Sequence, residues 1–534
     1  MTFAISTLDS IIIVAYLVGI VGFGCWAGLR RRKGSESREY FLAGSTLSWP
    51  IIGMALFSTN ISTVHLVSLA EEGYKNGLAY GNFEWMAPFT LIILALFFVP
   101  FYIRSKIATL PDFLEKRYSK GSRNWLAFLS IISAIFIHIG FSLYAGAVVL
   151  RGMFGFDIYF SIIAVAILTG LYTAVGGLLA VVWTESIQTI ILIFGAVCLT
   201  VVGLIQVGGW DGLASSVEPV KLTVLRPEGD SSGLPWYSVL LGYPIIGIWY
   251  WCTDQTIVQR VLGARDENHA KVGVLFAGFI KILPVFIFVL PGVICLALIH
   301  QGKLPNEITN PADTYGFMIM HLLPVGLKGI VAAALLAALM STVSGALNSA
   351  ATLFVYDLYK QWKPHTSEHR LVTIGRIVTV IAMIAAILWS PFVARYPSVF
   401  QGINAVIGYL APSITVVFLA GIFWRRASSF GSLTTMMSGT ALGFTVFLLD
   451  WFKESTGWNV PFMMASFYLA CLCAVILIAA SYLKPEPLTA EKEALVWNNP
   501  FDAFRSQAWK GMGNYRFLSA LLFTVMIILY FIFQ

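Results

Sequence analysis

Seven side chains that normally stay in water sit inside long apolar runs of this chain: Asn60, His65, Glu84, His138, Glu185, Asp254 and Lys281. Lys281 is flanked by Phe279, Ile280 and Ile282. An isolated charge at the centre of a bilayer costs on the order of 3 kcal/mol or more, so residues of this kind face a wet cavity or a partner. Each has a plainer reading too, as half of a structural pair or as the mark of a helix end. A second cluster is Met340-Ser341-Thr342-Val343-Ser344-Gly345-Ala346-Leu347-Asn348-Ser349, with four hydroxyls and one amide within about three turns. Two readings stand for it. It is a small-residue packing face whose hydroxyls bond back onto the helix, or it is a site for a hard cation such as sodium, which takes neutral oxygen ligands.

The elements that position these residues follow from composition. Of the 534 residues, 58% are apolar and 11% charged, against about 25% charged in soluble chains. Such a chain cannot solvate its outside in water, so lipid must be part of its solvent. Hydropathy predicts an all-α integral membrane protein of about 14 spans, roughly 8–29, 46–72, 78–103, 125–151, 157–178, 181–207, 236–259, 272–300, 327–358, 373–392, 400–424, 431–451, 461–482 and 516–533. The first is read as a retained helix, not a cleaved signal, because it is too long and no small-residue cleavage site follows it.

The formal net charge is +7, but the basic residues are dispersed among short loops. They report topology and not a nucleic-acid partner. Summing alternate loops puts roughly 25 of the 34 Lys and Arg on one side of the membrane. That places Arg30-Arg31-Arg32-Lys33 in the cytoplasm and both termini outside. The six cysteines lie mostly inside apolar stretches without metal-knuckle spacing, and read as small apolar residues. Cys471 and Cys473 should point to different sides of one helix.

Two spans read as broken. Span 46–72 contains Ser58-Thr59-Asn60-Ile61-Ser62-Thr63, and span 236–259 contains Gly242, Pro244 and Gly247 just before Trp249-Tyr250-Trp251. Gly and Pro weaken the backbone ladder at midspan. Discontinuous helices at corresponding positions of two halves are a sequence pointer to a transporter's site. Each broken span opens a set of five helices, so the positions correspond.

In seven stretches, taken in order, the chain resembles the sodium/solute symporter family, and within it the sodium–glucose cotransporter branch. They are YFLAGSTLSWPIIGMALFSTNIS (Tyr40–Ser62), the Glu84-Trp85 pair, TAVGGLLAVVWTESIQT (Thr173–Thr189), IWYWCTDQTIVQR (Ile248–Arg260), FIKILPVFIFVLPG (Phe279–Gly292), ALMSTVSGALNSAATLF (Ala338–Phe354) and GYLAPSITVVFLAGIFWRR (Gly408–Arg426). The resemblance implies a five-plus-five inverted-repeat transporter core with a discontinuous first helix in each repeat. Residues 1–45 would form a leading helix and cytoplasmic loop, 46–207 and 236–424 the two repeats, and 425–534 three further helices with a cytoplasmic loop at about 484–516.

It also implies alternating access, with sodium and a neutral sugar near the midplane. The implied sugar contacts are Asn60 and His65 on the first broken helix, Glu84 as acceptor, Lys281 as donor, and Tyr250 with Trp251 as an aromatic lid. A pyranose has an apolar face and a polar rim, which suits that set. Asn404 stands where the branch usually has Gln, one methylene longer, so a different hexose or a cyclic polyol such as inositol is the alternative. For sodium, the resemblance implies carbonyls of Ser58, Ile61 and Ala338 with hydroxyls of Ser341 and Thr342. Glu185 and Ser344 would serve a second ion or the ion route.

Other classes fit less well. An organic anion would want an unpaired Arg at midspan, and Glu84 would repel it. A sensor needs an output domain, and the 484–516 segment falls short of the usual ~50 residues. An enzyme is not expected, since the chain carries no HExxH, GxSxG or P-loop pattern. Loops assigned outside carry no Asn-x-Ser/Thr sequon, which points to a bacterial inner membrane.

Overall fold

The computed structural model describes residues 6–30, 37–306, 308, 311–395 and 399–534. Arg31, Arg32 and Lys33, which the charge reading used, lie outside them. The described chain is built from helices. Its polarity is the reverse of a soluble protein. Val18, Ile205 and Leu388 are each more than 60% exposed, whereas Glu84, Glu185, Arg260 and Lys281 are buried. Apolar side chains outside and charges inside is what a hydrocarbon solvent selects.

Eleven helices among the described residues are long and apolar enough to cross a membrane, against the expected fourteen. The difference has a local cause. Two expected spans follow each other in the 50-residue stretch Ile158–Val207 as two helices that meet at a kink. Of the first broken span, Trp49–Asn60 is only 12 residues long and Thr63–Asn76 runs on into the counted stretch Thr63–Arg104; the second broken span is not among the eleven. The long helix bends at Gly177, where φ is 60° and ψ −158°, a backbone conformation essentially reserved for glycine. A Cβ on Gly177 would also lie 2.4 Å from the Tyr40 carbonyl oxygen. Gly177→Ala should therefore cost about 1–3 kcal/mol in backbone strain, with the clash in addition. A lowered melting temperature of the purified protein checks this; an unchanged one would remove Gly177 as the cause of the bend.

Both breaks exist; the first falls inside the polar stretch Ser58–Thr63, and the second is displaced from the Gly242–Gly247 stretch. The first is narrow: Trp49–Asn60 ends, Ile61 turns extended (φ −80°, ψ 105°), and Thr63–Asn76 begins. The second is shifted. Gly242, Pro244 and Gly247 lie within or just at the end of the continuous helix Trp236–Ile248. A wide π turn follows at Trp249–Thr253, and the chain turns extended only at Asp254 (φ −82°, ψ 123°) before Gln255–Leu262. The two glycines serve close packing instead. A Cβ on Gly242 would meet the Met463 carbonyl oxygen at 2.3 Å, and one on Gly247 the Tyr243 ring at 2.6 Å.

Around the breaks, helix Glu267–Ile280 packs along Trp49–Asn60, and Leu327–Leu353 packs along Ile158–Val207. The first helix, Thr7–Arg30, lies against the same long helix, where Gly28 meets Gly176 backbone to backbone. Cys471 is exposed and Cys473 buried on helix Phe462–Leu483, opposite sides as expected. The 484–516 segment forms short turns, not a domain. Its Trp497 is buried and donates from Nε1 to the Phe97 carbonyl at 3.1 Å.

Candidate functional site

At the two breaks, helix ends leave backbone groups without intrahelical partners, and side chains meet there. A cavity with an empty volume of about 840 Å³, the space at its mouth included, opens between them. Six of the seven expected sugar contacts line it: Asn60, His65, Glu84, Tyr250, Trp251 and Asn404. Lys281, the seventh, reaches two of them from the wall. Its ammonium is ion-paired with Glu84 and donates to Asn60 Oδ1 at 2.6 Å.

The local reasons are readable. Lys281 caps helix Glu267–Ile280 three residues before Pro284, where the next turn widens. Glu84 sits on the short helix Asn82–Trp85, at the entry of its span. Asn60 is the last helical residue before the first break, and its amide donates to the Tyr250 hydroxyl at 3.1 Å. His65 belongs to a capping box at the start of Thr63–Asn76. Its Nδ1 lies 3.3 Å from the Ser62 amide and 3.1 Å from Ser62 Oγ. That leaves Nε2, the other ring nitrogen, for a ligand. Trp251 is buried, with the Lys281 ammonium 5.6 Å from its ring centroid, and its plane stands edge-on to Tyr250. The cavity therefore presents one acid–base pair, two amides, two imidazoles and an aromatic wall.

The expected sodium ligands also meet. Ser341 Oγ lies 2.8 Å from the Ser58 carbonyl and 3.0 Å from the Ala338 carbonyl. Thr342 Oγ1 lies 3.3 Å from the Ala338 carbonyl, and donates to the Thr59 carbonyl at 3.1 Å. Ile61 is the residue whose extended backbone ends the helix, on the same stretch as Ser58 and Thr59. The Ser58 hydroxyl is buried with no hydrogen-bond partner among the described residues. All these oxygens are neutral. No cluster of three or more His, Cys, Asp or Glu able to hold a metal occurs among the described residues. A cage of neutral oxygens at a helix break fits an alkali cation better than a divalent transition metal.

Glu185 is buried and engaged. Arg260 donates to it from Nε at 3.2 Å, and Thr59 Oγ1 donates to it at 2.8 Å. It thus ties the first broken helix (Thr59) to the second (Arg260). Ser344 Oγ donates to the Ser341 carbonyl at 3.0 Å, close to the Ser341 and Thr342 hydroxyls on the same helix. The expected set omits Phe83, His138, Ser142 and Tyr243, which line the cavity as well. His138 carried a sequence signal, as an imidazole inside an apolar span. The other three look like ordinary packing residues until the fold is known.

A model of the sodium:solute symporter family matches residues 40–439. The chain belongs to that family. It is a multi-pass membrane protein and a sodium-coupled solute symporter, with Na+ as the coupling ion. Its curated relatives include a sodium/mannose cotransporter from Bos taurus, 33% identical, the alignment covering 92% of this chain and 89% of that one. A sodium/glucose cotransporter 4 from Mus musculus is 33% identical, with 92% and 78% covered. A sodium/myo-inositol cotransporter 2 from Oryctolagus cuniculus is 32% identical, again with 92% and 78% covered. Among solved structures, a substrate-bound, outward-open sodium-coupled sialic acid symporter superposes with a TM-score of 0.78 at 21% identity, covering 90% of this chain and 99% of that one. The likeness gives this symporter the shared five-plus-five inverted-repeat transporter fold.

Proposed function

We propose that the protein imports a neutral sugar of the glucose or galactose kind, driven by sodium through alternating access, with no chemical step on the substrate. The observation that carries this is the Lys281–Glu84–Asn60 network in the wall of the cavity. A paired acid and base cancel in charge yet offer donors and acceptors at fixed places, which suits a ligand with many hydroxyls and no net charge. Asn60, His65, Glu84, Lys281 and Asn404 are assigned to the sugar hydroxyls, and Tyr250 and Trp251 to its apolar face. Ser58, Ile61, Ala338, Ser341 and Thr342 are assigned to sodium, and Glu185 with Ser344 to a second ion or its route. No arginine is among the described residues lining the cavity, which speaks against a carboxylate substrate.

The two repeats are assigned to 46–207 and 236–424, after a leading segment 1–45 and before three C-terminal helices in 425–534. The basic-loop asymmetry supports a cell-membrane protein with both termini outside, and the sequon-free outer loops fit a bacterial inner membrane. Uptake of labelled hexoses and polyols into proteoliposomes, with and without a sodium gradient, tests the substrate class. Sodium-dependent uptake of an amino acid or a carboxylate alone would overturn it.

A cyclic polyol such as inositol is the second reading, and Asn404 favours it. This residue lines the cavity with an amide about 1.5 Å shorter than glutamine's would be. If the short side chain makes room for a differently configured ring, Asn404→Gln should move the preference toward glucose. A water filling the gap predicts a modest change in affinity and no change in rank. Competition assays on both proteins separate the two outcomes.

A further inference from the structure

One polar pair at the cavity is absent from the assignments above. His138 sits in the π turn Ser133–Phe141 of the fourth expected span. Its Nε2 lies 3.0 Å from Asp254 Oδ2, and both residues are more than nine-tenths buried. The His138 ring lines the cavity, 6.1 Å from the Tyr250 ring. Its Nδ1 makes no hydrogen bond among the described residues. Tyr250 accepts from Asn60, and Asn60 from Lys281. His138 therefore stands at the opposite end of this chain of contacts from the Lys281–Glu84 pair.

Asp254 is itself locked. It is the residue at the second helix break, and its Oδ1 accepts from the Thr256 amide at 2.6 Å as the cap of helix Gln255–Leu262. Only Oδ2 is left for the imidazole. A carboxylate accepts only, so Nε2 must carry the proton in that bond, and a neutral ring then offers the Nδ1 lone pair.

We propose that His138 is a further substrate-binding residue, one that accepts a hydrogen bond through Nδ1 from a substrate hydroxyl, with Asp254 as the positioning residue that sets its tautomer. This rests on the polyhydroxylated-substrate reading given above. The ligand chemistry is specific: the group received must be a hydroxyl that donates. A fluorine in its place accepts only, and would face a lone pair. A buried site that pairs a substrate hydroxyl rejects analogues unable to make the bond far more strongly than an apolar pocket rejects a missing methylene.

The consequence for Asp254→Asn is unusual. Asparagine is an equally good helix cap, and the Thr256 amide demands its oxygen. The amide nitrogen is then forced toward Nε2, which must accept. The proton moves to Nδ1, and His138 becomes a donor to the cavity.

The test is competition against sodium-driven uptake of the transported sugar, using its monodeoxy and monofluoro analogues at each ring position. In the unmodified protein, one position should reject both analogues at least tenfold. In Asp254→Asn, the fluoro analogue at that position should compete within about threefold of the parent sugar, while the deoxy analogue is still rejected. In His138→Phe, parent and deoxy sugars should compete alike at that position. The proposal is overturned if the unmodified protein accepts the fluoro analogue wherever it rejects the deoxy one. It is also overturned if His138→Phe keeps the original ranking, or if a well-expressed Asp254→Asn leaves the fluoro ranking unchanged. Should Asp254→Asn fail to reach the membrane, the first two results decide. Absence of any sodium-dependent sugar or polyol uptake in the unmodified protein would refute the substrate reading, a result distinct from each of these.

Discussion

Replacing Ser341 and Thr342 together by alanine is expected to abolish sodium-driven accumulation while leaving a folded protein in the membrane. Both hydroxyls converge on the Ala338 carbonyl, and Ser341 also reaches that of Ser58 across the first break. Removing them deletes two neutral oxygens from a small cage. At about 1.4 kcal/mol for each tenfold in binding, losing one ligand should weaken sodium binding tenfold or more, and losing both should carry it beyond any physiological gradient. Thr342→Ser keeps the hydroxyl and should keep coupling. That control matters because Thr342 also lines the substrate cavity. Potassium should not replace sodium, since a cage closed around the smaller ion is too tight. Persistent uphill uptake in the double variant, measured in proteoliposomes under a sodium gradient, would refute the ion site.

Much of this architecture is legible in residues because hydrocarbon punishes errors severely. Lys281, Glu84 and Asn60 stand out in the sequence for the cost of burying them alone, and the structure joins all three in one network. The first break is legible for a similar reason, as Ser58 to Thr63 is too polar for an ordinary midspan turn. The second was displaced because Gly242 and Gly247 have a different use. They admit the Met463 backbone and the Thr90 methyl group, both from other helices, a tertiary demand that no local reading can see. The strand-like turn falls instead at Asp254, whose capping bond to Thr256 is the local signal that could have located it.

The boundary that hydropathy draws between spans 157–178 and 181–207 has a counterpart in the backbone. Within the stretch Ile158–Val207 the chain leaves helical geometry at Gly177 (φ 60°, ψ −158°), so two helices meet there at a kink. Phe83, Ser142 and Tyr243 carried no signal at all. An aromatic or a serine in an apolar span is ordinary, and only the convergence of three separate elements puts these on one cavity.

Glu84→Gln and Lys281→Met are each expected to cripple transport, and the double variant to be better expressed than either single. Both side chains are buried and paired with each other. Removing one partner of such a pair leaves an uncompensated charge, at a cost of about 3–5 kcal/mol, whereas replacing both restores a neutral interior. The geometry adds an asymmetry. Lys281 also donates to Asn60 Oδ1, and Asn60 donates in turn to the Tyr250 hydroxyl. After Glu84→Gln the ammonium keeps Asn60 and can find the glutamine oxygen. After Lys281→Met the Glu84 carboxylate loses its only ion-pair partner among the described residues, and Asn60 loses its anchor. Lys281→Met should therefore be the more damaging single change, both to expression and to substrate affinity. Surface expression, melting temperature and uptake of the four proteins form a double-mutant cycle. Coupling of about 1 kcal/mol or more in melting, together with recovered expression and no recovered transport, is the outcome expected of a pair that is both structural and ligand-binding. Strict additivity would mean that the ammonium is held mainly by Asn60, and that Glu84 meets the substrate on its own.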